Sequence, residues 1–179
     1  AVALDRTPLL YIDDSSHISV PDMRQRIRRI LEERLRPNRS SLSLVVVDYL
    51  QLMLPIEHDA QERRQRLLTT FRQLRRMARD LGVSVLIISQ LDRESGHINR
   101  RDKQPILSDL SDWETVEKYS DTVLFLHRDD YYTLDYEDEE IAEVIVAKQR
   151  SGHASTVRLS WQADCCLFRD LPYRPALGT

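Results

Sequence analysis

The sequence predicts an α/β protein, with a mostly parallel sheet covered by helices on both faces and an antiparallel hairpin at the C-terminal end. The first observation is an unbroken apolar run over 44–47 that contains three valines, a pattern typical of a strand buried on both faces. The second is that strands and helical patterns alternate in the first half of the chain, whereas strands dominate in the second half. Such alternation is typical of parallel sheets, and the strand-rich end indicates antiparallel pairing.

A short strand and a helix are predicted first along the chain. An apolar run over 9–12 ends at a pair of aspartates that begins with Asp13, so we predict a strand with acids at its carboxyl end. A helix is predicted over 20–35, because Ser19 is a suitable N-cap and Pro21 suits the first turn.

The longest helix is predicted over 59–81, after the apolar run at 44–47. Its apolar residues form one continuous stripe and most of its arginines lie off that stripe, as expected for a helix that packs one face on a core. Gly82 suits the end of this helix. The later strands are predicted at 83–89, 122–127 and 141–147, with a terminal hairpin at 155–161 and 165–168.

Composition limits the classes of protein that fit the 179 residues. No run of about 18 apolar residues is present and the first residues lack the pattern of a secretory signal, so we expect a cytoplasmic protein. Cys165 and Cys166 are adjacent without metal-ligand spacing, which indicates reduced thiols. The net charge of −3 indicates no partner by itself, although arginine-rich segments at 24–39 and 63–79 are compatible with nucleic acid.

Four predicted strand ends carry side chains that suit a phosphate and metal site. Asp48 follows the central strand, where an acid can hold the Mg²⁺ that bridges nucleotide phosphates, although it can equally just end the strand. Gln90 suits the orientation of a water or the sensing of a terminal phosphate. Arg128, Lys148 and Arg150 suit phosphate oxygens. We expect these strand ends to meet at one edge of the sheet.

Several motifs, in their order and spacing, resemble the C-terminal part of the RecA-like motor domain of DnaB-type replicative helicases. The matching stretches are PLLYIDD at 8–14, VDYLQLM at 47–53, ISQL at 88–91 with Arg93, DKQP at 102–105, SDL at 108–110, HRDDY at 127–131 and AKQRSG at 147–152. The resemblance covers nearly the whole chain. It implies a RecA-like fold that is incomplete on its N-terminal side, with a partial ATPase domain over 1–171 and a C-terminal tail over 172–179.

This resemblance implies an ATP-dependent motor that moves on single-stranded DNA as a hexameric ring, with primase or loader proteins as partners. Asp48 resembles the Walker B aspartate, which positions Mg²⁺ through water, and Gln90 resembles the sensor glutamine that links nucleotide to DNA. Arg128 belongs to a matching stretch and is expected near the nucleotide. Lys148 and Arg150 resemble the pair that reaches the phosphates of a neighbouring subunit's nucleotide, with Arg150 as the arginine finger.

Two loops of the resembling family hold single-stranded DNA by its backbone, one after Gln90 and one near 108–117. The DNA contacts that the resemblance implies here are Arg93, Arg100, Asp109 and Ser111. However, Ser111 replaces the family's arginine and Glu114 replaces its glycine. A lost cation and a gained acid both weaken the attraction to phosphates, so we expect weaker DNA binding by this loop.

The chain also departs from the family because it contains no G-x-x-x-x-G-K-[S/T] motif. None of its four glycines belongs to such a phosphate-binding loop. We therefore expect a fragment whose other half carries the P-loop and the catalytic glutamate. ATP and Mg²⁺ are expected only in the complete motor, and the chain alone is expected to be inactive.

Two other hypotheses stay open. The chain can be a non-catalytic RecA-fold module that docks on a helicase ring or another partner, which the altered loop at 109–121 favours. It can also be a RecA-fold ATPase of the recombination or clock type, which the wording at 48–51 and 148–150 disfavours.

Overall fold

The computed structural model describes residues 2–3, 10–15, 17–32, 42–53, 59–91, 103–110, 112–128 and 141–171. The chain divides into two compact units, residues 1–90 and residues 91–179. The tail predicted at 172–179 and the last residues of the helix predicted at 20–35 lie outside the described residues.

The first unit combines two short antiparallel strands, two helices and a parallel pair of strands. In chain order these are β1 (Val2–Ala3), β2 (Tyr11–Ile12), α1 (Val20–Ile30), β3 (Leu44–Val47), α2 (Ala60–Leu81) and β4 (Ser84–Ile87). A 3₁₀ turn over Leu50–Met53 follows β3. β1 pairs with β2 in antiparallel fashion, and β3 pairs with β4 in parallel.

The predicted starts of both helices and the predicted end of α2 are confirmed. At the start of α1 the Ser19 hydroxyl accepts a hydrogen bond from the backbone N–H of Asp22, at 3.2 Å. At the start of α2 the Asp59 carboxylate accepts two backbone N–H groups, and at its end Gly82 adopts a left-handed conformation with φ 65°. A side chain is strained in that conformation, so glycine ends this helix at little cost.

The core of the first unit lies between its helices and one face of the parallel pair. The buried residues that pack together are Val20, Met23, Ile27, Val47, Leu74 and Met77. On the opposite face, Leu44 and Val46 are 48% and 51% exposed. The prediction that this strand is buried on both faces is therefore wrong for the described residues, because α1 and α2 both pack against the same face.

The second unit is a short helix with a sheet of four antiparallel strands. Its elements are α3 (Trp113–Tyr119), β5 (Thr122–His127), β6 (Ile141–Gln149), β7 (Ser155–Gln162) and β8 (Leu167–Asp170), and the strands follow one another in the order β5-β6-β7-β8. The α/β class is thus confirmed, with an antiparallel part of four strands where the sequence predicted a hairpin.

Alternating burial along β5 builds the core of the second unit. Val123 and Phe125 are buried with Leu110, whereas Leu124 and Leu126 on the other face are more than half exposed. This period of two is typical of an antiparallel strand with one covered face. None of the described helices is long and apolar enough to cross a membrane.

Met77 is the most deeply buried apolar residue of the first unit, with 1% of its surface exposed. We expect Met77→Ala to lower the free energy of unfolding by about 2–4 kcal/mol, because it removes buried contacts and leaves a cavity. Urea denaturation followed by circular dichroism measures the change. Leu86→Ala is the control, since Leu86 is 46% exposed. Equal losses in the two variants would show that Met77 does not occupy the core.

Candidate functional site

The carboxyl ends of β3 and β4 meet at one edge of the first unit, as the sequence predicted. Val47 lies opposite Ile87 in the parallel register. Beyond the strands the two segments stay together, since the N–H of Ile88 donates to the carbonyl of Val47 at 2.9 Å and the N–H of Leu50 donates to Ile88 at 2.8 Å. Asp48 therefore leaves the sheet beside the segment that leads to Gln90.

Asp48 is exposed at this edge, and no described residue is recorded as a hydrogen-bond partner of its carboxylate. The described residues contain no group of three or more acids, histidines or cysteines that could hold a metal ion by themselves. A single free carboxylate fits Mg²⁺, which keeps several of its waters and is bound through one or two carboxylates together with substrate phosphates. The donor set at this edge is thus compatible with a magnesium ion held through water.

Gln51 links the two segments at this edge, and reasoning from the sequence did not single it out. Its side-chain amide Nε2 donates to the Ser89 hydroxyl at 3.1 Å and approaches the backbone carbonyl of Gln90 at 3.5 Å. Gln51, three residues after Asp48, is thereby tied to Ser89 and Gln90, which follow β4. The only signal in the sequence was its place in the VDYLQLM stretch at 47–53.

The acid at the other predicted strand end, Asp13, has a structural partner. Its carboxylate Oδ2 accepts from Arg26 Nη1 at 2.5 Å, and the same nitrogen donates to the Ser15 hydroxyl at 2.7 Å. Hydrogen bonding with Ser15 and then with Arg26 lowers the pKa of Asp13 to about 2. This cluster ties the end of β2 to α1.

Lys148 lies on β6 in the second unit, where its half-buried side chain reaches the end of α3. Its ammonium donates to the backbone carbonyl of Ser120 at 3.1 Å and to that of Glu117. The last carbonyls of a helix lack partners inside the helix and carry partial negative charge, so a lysine is favourable there.

Arg150 follows the end of β6 and is held by Asp121, just before β5. The backbone N–H of Arg150 donates to the carbonyl of Asp121 at 2.8 Å. The guanidinium Nη1 lies 3.2 Å from the Asp121 carboxylate. Lys148 and Arg150 are thus anchored to the same short segment of chain, which the sequence did not predict.

The structure does not bring Arg128 to this group. β5 and β6 are antiparallel, with Thr122 opposite Gln149 and His127 opposite Glu143, so Arg128 lies at the opposite end of the pair from Lys148. The prediction that both strand ends share one edge is wrong here, because it assumed parallel strands. The Arg128 guanidinium instead lies 5.4 Å from the ring centre of Trp161, which is a cation–π contact.

Among the predicted DNA contacts, only Asp109 lies within the described residues. Its exposed fraction is 0%, and its carboxylate accepts the backbone N–H of Ile106 at 2.8 Å. From this position the Asp109 carboxylate shapes the turn before α3 and is not exposed on the surface, and its predicted contact with DNA stays a prediction. The other predicted contacts, Arg93, Arg100 and Ser111, lie outside the described residues.

Comparison with known protein families gives one match that spans both units. Residues 2–170 match the model described as the DnaB-like helicase C terminal domain. The chain is 39% identical over 165 residues to the replicative DNA helicase DnaB of Geobacillus stearothermophilus, covering 92% of this chain and 35% of that protein. It is 38% identical over 165 residues to the replicative DNA helicase DnaC of Bacillus subtilis, with the same coverage of 92% and 35%. The chain thus spans about a third of the length of these relatives.

Two solved structures share its fold. One, described as an ATPase domain, superposes with a TM-score of 0.76 and 36% identity, covering 89% of this chain and 54% of that chain. A DnaB-like replicative helicase, reported with its interactions with primase, gives 0.77 and 35% identity, covering 89% of this chain and 36% of that chain. The RecA-like fold that the sequence resemblance implied is therefore confirmed.

The lowered pKa of Asp13 gives a pH-dependent contribution to stability. Because the folded pKa, about 2, is below the ordinary value of 3.8, the contribution is complete above pH 3.8 and is lost as pH falls through about 2. For this partly exposed pair we expect Asp13→Asn to cost about 0.5–1 kcal/mol at pH 7. The difference from the parent should shrink between pH 4 and pH 2, as measured by urea denaturation at each pH. A difference that stays constant over that interval would rule out the ion pair as its source.

Proposed function

We propose that this chain, which belongs to the family of DnaB-like helicase C-terminal domains, forms part of an ATP-dependent motor. The motor would move on single-stranded DNA as a hexameric ring. The observation that carries the proposal is the edge of the β3–β4 pair. There the exposed Asp48 lies beside the segment that leads to Gln90, with Gln51 joining the two. This edge fits a nucleotide-dependent machine because ligands of parallel sheets bind outside the carboxyl ends of the strands.

At this edge Asp48 would hold Mg²⁺ through water, and Mg²⁺ would supply charge neutralisation for the nucleotide phosphates. The role of this chain would be to orient that water with the Asp48 carboxylate, which has no hydrogen-bond partner among the described residues. Gln51 bonds to the segment that ends at Gln90, so a change at Asp48 can be passed to Gln90. The residues that follow Gln90 would carry this change towards DNA.

Lys148 and Arg150 would act on a nucleotide held by a neighbouring subunit. Arg150 keeps 44% of its side-chain surface exposed and is paired through one nitrogen, which is compatible with an additional phosphate contact. Lys148 would have to leave the carbonyls of Glu117 and Ser120 or use its remaining donor capacity. A role that operates across subunits requires an assembly, and we propose a homo-oligomeric ring.

The 179 residues contain no phosphate-binding loop of the G-x-x-x-x-G-K-[S/T] type. We propose that ATP binding and hydrolysis need a P-loop half in addition to these residues. Primase or loader proteins are proposed as partners of the complete motor, which would work in the cytoplasm where DNA is replicated. Among the solved structures that the chain resembles, one is a helicase described with primase.

A second candidate function is a RecA-fold module that docks on a helicase ring without catalysis. It is supported by the sequence around the start of α3, where Ser111 and Glu114 stand in place of the family's arginine and glycine. A lost cation and a gained acid both reduce the attraction of this segment for a phosphate backbone.

A chimera distinguishes the two candidates. Residues 2–170 would replace the matching segment of the G. stearothermophilus helicase. ATP turnover stimulated by single-stranded DNA supports the motor. A folded hexameric chimera without turnover supports the docking module.

In that chimera we expect Arg150→Ala to lower ATP turnover by about 10³–10⁵-fold, the range for an arginine finger. Binding of a fluorescent ATP analogue should remain. Arg158→Ala is the matched control, since Arg158 is an exposed arginine at the far end of the same sheet, paired to Glu143 at 3.2 Å. Turnover within about tenfold of the parent would exclude Arg150 as the finger.

In the same chimera we expect Asp48→Asn to weaken the Mg²⁺-dependent part of nucleotide binding by about 10–100-fold, as for other groups that hold a metal through its bound water. Titrations with and without Mg²⁺ isolate that part. Asp14→Asn is the control, since Asp14 is also an exposed acid after a strand of the first unit. The same Mg²⁺ dependence in the parent and in Asp48→Asn would remove the metal role.

A further inference from the structure

One short segment, residues 117–121, makes every recorded polar contact of the Lys148 and Arg150 side chains within the described residues. This segment ends α3 and leads into β5. The two cations come from β6, which pairs with β5, so the strand register brings them to this place. The segment therefore anchors both side chains.

Among the described residues, backbone groups alone hold the Lys148 side chain. Its ammonium donates to the carbonyls of Glu117 and Ser120, which belong to the last turn of α3 and the residue after it. No side-chain substitution at those two positions removes these acceptors. The lysine is thus fixed by the path of the chain.

Arg150 is held differently, because its side-chain contact depends on a single carboxylate. It stands one residue beyond the end of β6, and its backbone N–H donates to the carbonyl of Asp121 at 2.8 Å. That bond continues the β5–β6 ladder by one rung and sets where the side chain begins. The ion pair between Nη1 and the Asp121 carboxylate, at 3.2 Å, then restricts where the guanidinium ends.

This ion pair contributes little to the stability of the fold. The side chains of Arg150 and Asp121 are 44% and 69% exposed, and exposed pairs of this kind contribute little to stability. An arginine has a long, flexible stem, so a carboxylate that restricts it can place the guanidinium in advance. Within the described part of the chain only one guanidinium nitrogen is in an ion pair, which leaves the remaining donors for another acceptor.

We propose that Asp121 is a positioning residue for Arg150. It holds the guanidinium at the end of β6, where it can meet the phosphates of a neighbouring subunit's nucleotide. This inference rests on the proposed function, which assigns Arg150 as the finger. Asp121 itself touches no phosphate in this scheme and acts only through Arg150.

The first test measures positioning in the 179-residue chain itself. ¹⁵N relaxation of the arginine side-chain Nε reports motion of the guanidinium on the picosecond to nanosecond scale. We expect Asp121→Asn to increase the mobility of Arg150, and to leave Arg158 unchanged as the internal control. Unchanged mobility of Arg150 would overturn the proposal.

The second test measures the consequence for turnover in the chimera. We expect Asp121→Asn to lower kcat about two- to fivefold with KM for ATP unchanged, because an exposed ion pair restricts the side chain only modestly. Asp121→Glu should recover part of the loss. Arg158→Gln, which breaks a pair of the same 3.2 Å length at the other end of β6, should leave kcat unchanged.

The two proposals fail in different ways. If Arg150→Ala abolishes turnover while Asp121→Asn leaves kcat unchanged, the finger stands and the positioning role is rejected. If Arg150→Ala retains turnover, the finger assignment is rejected and the positioning role falls with it. A changed KM with unchanged kcat also rejects positioning, because it would place Asp121 in nucleotide binding.

Discussion

The parallel pairing of β3 with β4 is the interaction on which the candidate site depends. The register that sets Val47 opposite Ile87 brings two strand ends to one edge. Met77 and the apolar residues around it hold both helices against one face of that pair. This pairing continues into backbone hydrogen bonds beyond the strands, so that Gln51 reaches the segment that leads to Gln90 and Asp48 lies beside it. The proximity of these side chains is therefore a consequence of strand register.

In the second unit, antiparallel pairing determines which side chains lie together. Its β5–β6 register places the start of β5 beside the end of β6, so Asp121 meets Arg150 and the end of α3 meets Lys148. The same register sends Arg128 to the far end, where it contacts Trp161. Arg128 is thus separated from Lys148 and Arg150 by strand direction, although the sequence predicts phosphate contacts for all three.

Acids with the same position in the sequence pattern have different environments. Asp13 and Asp48 both follow a short apolar strand. The Asp13 carboxylate is bound by Arg26 and its pKa is lowered. The Asp48 carboxylate is exposed and has no hydrogen-bond partner among the described residues. Asp109 is fully buried and accepts a backbone N–H. A carboxylate that is already bound stabilises the fold, and one that is unbound and exposed is available to a cation or a water. This distinction separates a structural acid from a candidate ligand.

The local features of this protein and its family can be derived from the amino-acid sequence alone. Ser19, Asp59 and Gly82 set the observed helix ends because capping depends on neighbouring backbone groups. The order and spacing of the motifs identified the fold, and they singled out Asp48, Gln90, Lys148 and Arg150 as candidate site residues. The direction of β5 and β6, the single covered face of β3, and the contacts of Gln51 and Asp121 emerge only from the folded structure. These properties depend on pairing between segments far apart in the chain, and the period of apolar residues is the same for either strand direction.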